Sequence, residues 1–122
     1  MAKQLEIFDL FNQPDYFIFS ELFPDNESDE IEYKSAIGGF PHDFWKTYSA
    51  FANTGGGVIV LGVKEKNNKF TFDGLDEELI VKYQKEFWNG ANNPSTISKN
   101  LLKKEDVKQY VVEGKKIIAF NI

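Results

Sequence analysis

In the stretch NESDEIEYK, residues 26–34, a carboxylate and an ammonium stand two residues apart, at Glu32 and Lys34. Side chains on a β-strand alternate between its faces, so this pair projects to one side while Ile31 and Tyr33 take the other. A strand carboxylate beside a lysine is how metal-dependent nucleases hold Mg²⁺ or Mn²⁺ and stabilise the attacking hydroxide or the phosphate charge. The same pair also occurs on solvated strand faces, where an exposed ion pair contributes under about 1 kcal/mol. Glu27, Asp29 and Glu30 crowd the segment further. Their mutual repulsion is relieved either by a bound cation or by water.

A second stretch with chemical potential is SAFANTGGGVIVLGV, residues 49–63. Three consecutive glycines could offer backbone N–H groups to a phosphate. The phosphate-binding loops of nucleotide enzymes, however, follow a strand and open a helix, whereas here a helix precedes and a strand follows. A structural use fits better. Gly55 is expected to end the helix in a left-handed conformation, and Gly56 and Gly57 to let the strand start close against that helix.

The elements that must position these residues follow from periodicity. Residues 4–12 and 15–22 are apolar at helical spacing, and FPDNESD then breaks the pattern. EIEYKSA alternates as a half-buried strand and is closed by Gly38 and Gly39. Phe40, Phe44, Tyr48, Phe51 and Ala52 recur every three or four residues, with Pro41 suited to a first turn, and predict a helix with an aromatic face. GVIVLGV is apolar on both parities, which predicts a strand covered on both faces. Asn67 and Asn68 turn the chain so that KFTF returns antiparallel. Leu75, Leu79, Tyr83 and Phe87 mark a helix from about Asp76 to Asn89, ended by Gly90. VKQYVV and KIIAFNI flank Glu113-Gly114 as a last hairpin.

Composition narrows the function. The chain has 122 residues, one domain by length, and 42% hydrophobic residues with twelve Phe place it among globular proteins. No apolar run is long enough to cross a bilayer, no secretory signal opens the chain, and Cys is lacking, so the cytoplasm is the expected compartment and no membrane partner is expected. Residues 1–35 hold nine acids against two lysines, net −7, and residues 36–122 hold twelve lysines against ten acids, net +2. All fourteen cations are Lys, so phosphate would be met by point charges and not by bidentate forks. Lys99, Lys103, Lys104, Lys108, Lys115 and Lys116 form the basic region, diluted by Glu105, Asp106 and Glu113. His42 reads as an exposed first-turn residue, and Trp45 and Trp88 read as packing residues. The chain stops inside a strand-like run, as a fragment of a longer protein would.

The order of these pieces, an acidic residue, EYK, an aromatic helix running into FANTGGG and GV, then Glu65 and Gly74-Leu75, resembles the Schlafen-type AlbA-like domain over about residues 27–122. That resemblance implies an α/β (α+β) fold, a mixed and mostly antiparallel sheet packed by helices, within a single domain over 1–122 whose residues 1–26 form a helical N-terminal extension. It also implies nucleic-acid binding, the role commonly assigned to this domain at the N-terminus of bacterial transcriptional regulators. In the animal branch the domain cleaves RNA with three metal-binding carboxylates, and Glu27, Glu32 and Glu65 match those positions here. Glu65 stands where Asp is more usual, and Lys64 replaces a common acid.

Three functions of different class follow. One is a DNA- or RNA-binding regulatory module that meets phosphates through Lys34, Lys99, Lys103 and Lys104, with homodimerisation supplied by downstream chain. The next is a metal-dependent endoribonuclease, with Glu27, Glu32 and Glu65 holding Mg²⁺ or Mn²⁺ beside Lys34 as the catalytic set. The last is a protein-interaction module whose acidic amino-terminal third meets a basic partner.

Overall fold

The structure is a computed structural model that describes residues 2–5, 23, 26, 28, 30–66, 69–93, 102–112 and 115–122. In chain order its elements are β1 (Ala2–Leu5), β2 (Ile31–Lys34), α1 (Phe44–Thr54), β3 (Val58–Leu61), β4 (Val63–Lys66), β5 (Lys69–Phe72), α2 (Glu77–Ala91), a 3₁₀ turn (Lys104–Asp106), β6 (Val107–Val112) and β7 (Lys115–Asn121). Five strands form one sheet in the order β1-β6-β7-β3-β2, and β4 and β5 form a separate ribbon. The β1–β6 and β2–β3 pairs are parallel, and the other three are antiparallel. The α+β architecture with a mixed sheet is therefore the one expected.

The strand pleat sorts the core into two layers. Ile59 and Leu61 of β3 and Ile118 and Phe120 of β7 face α1 and α2, where they meet Phe44, Tyr48, Ile80, Tyr83 and Phe87. Val58, Val60, Ile117 and Ala119 line the opposite face with Phe23, Tyr110 and the ribbon residues Val63 and Phe72. All four residues of β3 are buried, as expected of a strand covered on both sides. That the apolar run yields two strands and not one is due to Gly62. Its φ of +97° turns the backbone where a Cβ would lie 3.0 Å from Leu75 Cδ1 and 3.2 Å from the Lys116 carbonyl oxygen.

Several local expectations need correction. Gly55 has φ of 168°, extended backbone, and the left-handed conformation falls on Gly56 at φ +94°. Both amides donate to the Phe51 carbonyl, at 3.2 and 2.8 Å. The close-approach reading does hold at Gly57, where a Cβ would stand 2.6 Å from the Phe51 ring. α2 begins where expected, with the Asp76 carboxylate accepting from Leu79 N–H at 2.9 Å. It runs through Gly90 to Ala91, because Gly90 is the notch into which Trp45 packs, where a Cβ would meet the indole ring. Residues 2–5 form a strand parallel to β6, which displaces the helical expectation at residues 4 and 5. The rest of that expected extension, up to residue 22, lies outside the described residues.

Candidate nucleic-acid interface

β2 ends the sheet beside β3, with Glu32 opposite Ile59 and Lys34 opposite Leu61. By that register Glu32 and Lys34 share the helix-covered face, as the alternation of EIEYK predicts. Their surroundings differ. Glu32 is exposed, whereas Lys34 is only 8% exposed and is the one buried charged side chain among the described residues. Its ammonium lies 3.0 Å from Asp43 Oδ1.

Asp43 occupies the N-cap position of α1 but makes no side-chain cap hydrogen bond. It spends its carboxylate on Lys34 instead. That hydrogen bond from the ammonium holds the Asp43 carboxyl below the ordinary Asp value of 3.8, although partial burial opposes the shift. An ammonium taken out of water must be paired, and β2 brings Lys34 to the helix end where Asp43 can do this.

A second carboxylate fixes the chain just after β2. Asp73 accepts from Ser35 Oγ at 3.0 Å and from Ala36 N–H at 2.6 Å. Its own N–H donates to the Gly62 carbonyl at 2.9 Å, and Gly62 N–H donates to the Lys34 carbonyl at 3.0 Å. From α2 the buried Tyr83 hydroxyl donates to the Ala36 carbonyl at 2.6 Å, and burial raises its pKa above the usual 10.0. The corner that carries Lys34 is thus clamped by α1, by α2 and by the bend at Gly62. Neither Asp43 nor Asp73 stands out in the sequence: each is a lone acid in a turn, and only the fold shows what it ties.

The other site residues distribute as follows. Glu65 is exposed on β4, a strand that packs beside β2. Glu27 and Lys99 lie outside the described residues. Lys103 and Lys104 are exposed at the 3₁₀ turn, and His42 is exposed before α1, as expected. Trp45 packs face to face with Phe87 at a centroid distance of 5.5 Å, and Trp88 meets Phe87 edge-on at 4.9 Å.

The carboxylate oxygens of Glu32 and Glu65 are the hard donors that Mg²⁺ and Mn²⁺ take. Among the described residues no three such side chains stand together as a metal site. Glu27, the third carboxylate of the expected set, lies outside the described residues. The glycine loop is committed internally. Gly55 and Gly56 amides go to Phe51, and Gly57 N–H donates to the Ile122 carbonyl at 3.2 Å, so these amides do not form a phosphate nest.

A family model described as Schlafen, AlbA_2 matches residues 27–122, more than half of the chain. No curated protein and no solved structure matches significantly.

Proposed function

The chain belongs to the Schlafen AlbA_2 family, and from that premise we propose that it is a nucleic-acid-binding module of the bacterial-regulator type, which contacts phosphates through lysines. The family match, which makes this a nucleic-acid-related domain, is the observation that carries the proposal. The exposed Lys103 and Lys104 are its foremost phosphate contacts, and Lys99 extends the same basic region. Lys34 contributes only when a phosphate oxygen takes the place of the Asp43 carboxylate on its ammonium. Discrimination by arginine forks plays no part, since the chain has none.

Titration of labelled duplex DNA and of labelled RNA by fluorescence anisotropy tests this reading. Affinity is expected to fall steeply as salt rises from about 50 to about 200 mM, in proportion to the phosphates engaged. A lack of association with either nucleic acid at the lowest salt would overturn it and favour a protein partner.

A further inference from the structure

A groove of about 650 Å³ opens between α2, the 3₁₀ turn and β6. Gln84 and Trp88 line it from α2, four residues apart and therefore on one helix face. Gln109 lines it from β6, opposite Ile118 in the strand register and so on the helix-covered side of the sheet. Lys104 stands at its rim with Glu105 beside it. Lys108 also borders the groove, but its ammonium sits 4.9 Å from the centroid of the Phe23 ring, with the cluster on the opposite face, which leaves Lys104 as the other lysine lining the groove among the described residues.

We infer that this groove takes one unpaired base of a single-stranded nucleic acid, stacked on Trp88, edge-bonded by Gln84 and Gln109, with its phosphate at Lys104. The inference rests on the nucleic-acid reading above and specifies a part of it. The volume falls in the range of sites that bury small ligands. Each residue type has a use that suits this occupant. An indole offers a face on which any base stacks. A side-chain amide carries a donor and an acceptor side by side, the pattern that pairs with an adenine edge. A lysine at the rim meets one phosphate as a point charge.

Trp88 is also fixed well for this task. It is half-buried, its ring held edge-on against Phe87 while it lines the groove. Glu105 opposes a second phosphate at the same rim, so the groove admits a base with one phosphate and does not track a backbone. A duplex keeps its bases stacked and paired, so the site selects single strands, loops or bulges.

The test compares the full 122-residue chain and its variants on labelled oligo(dA), oligo(rA) and the matching duplex. Single strands are expected to bind more tightly than the duplex. Trp88→Ala should weaken single-strand binding by about fivefold to a hundredfold. Because Trp88 is half-buried, Gln109→Ala and Lys104→Glu serve as independent variants, each expected to weaken binding severalfold with an unchanged melting temperature. Comparison of the DNA and RNA strands decides which sugar is preferred. Equal binding of single strands by all variants, or a duplex preference in the unaltered protein, overturns the groove assignment while leaving the nucleic-acid reading intact. No binding of any of the three probes overturns both.

Discussion

Lys34 and Lys104 are the same side chain in opposite circumstances. Lys34 lies inside the β2–α1 corner with its ammonium on Asp43, and the backbone around it is tied by Asp73 and Tyr83. Lys104 is exposed on a three-residue turn at the edge of a groove. A buried charge is paired within the fold, and its partner is then part of the structure. An exposed charge is paired with mobile counterions, which a phosphate can displace with gain. The corner should thus answer to perturbation in stability, and the rim in affinity.

The largest effect expected is at Phe44, which is fully buried and packs edge-on against Phe120 at 5.1 Å. Phe44→Ala should cost about 3–5 kcal/mol in denaturant unfolding, because it empties the layer that seats α1 and hence Asp43. Tyr83→Phe comes next. It deprives the Ala36 carbonyl, in a fully buried residue, of its 2.6 Å donor, and should cost about 1–3 kcal/mol. A smaller loss would show that the chain after β2 is held by Asp73 alone.

Asp43→Asn sharpens the contrast by its pH dependence. The Asp43 carboxyl is held below 3.8 by Lys34, so its contribution is fully present above that pH and is lost as pH falls through the lowered value. Since Asp43 is mostly exposed, the loss at neutral pH should stay under about 1 kcal/mol. The variant should lack that part of the acid-induced decline in stability below 3.8. If its acid unfolding curve matched that of the unaltered protein, the corner pair would be as loosely held as the rim. The smallest effect on folding is expected at the rim itself. Lys104→Gln should change stability by less than about 0.5 kcal/mol, yet lower the salt dependence of nucleic-acid binding by about one phosphate. A shift in melting temperature there would erase the distinction between the two lysines.

What could be read in advance depended on the range of the interaction. The alternation of Ile31–Lys34, the turn at Asn67-Asn68, the helical spacing of Leu75, Leu79, Tyr83 and Phe87 and the last hairpin are all written in a few neighbouring residues, and the structure has β2, the β4–β5 ribbon, α2 and the β6–β7 pair at those places. β1 was not legible, because AKQL has no strand signature of its own and gains its partners from Gln109 to Val112, far along the chain. The true end of α2 was hidden for a related reason. A glycine in a helix reads as a stop, and nothing near Gly90 shows that an indole from α1 fills the space its missing side chain leaves. Of the candidate site, the shared face of Glu32 and Lys34 was predictable from the pleat. The salt partner of Lys34 was not, since Asp43 comes to it only when α1 folds over the sheet.

The position of Lys34 also bears on how copies of this protein avoid one another. Among the described residues β2 is the outermost strand on its side of the sheet, and a strand rim is a template on which a stranger's backbone can add itself and start a fibre. A charge turned inward from such a rim is a known deterrent, because the incoming strand would have to strip an ammonium of its counter-charge and its last water. Exchange of this side chain for an equally long, uncharged one could then leave a molecule that folds well and yet precipitates.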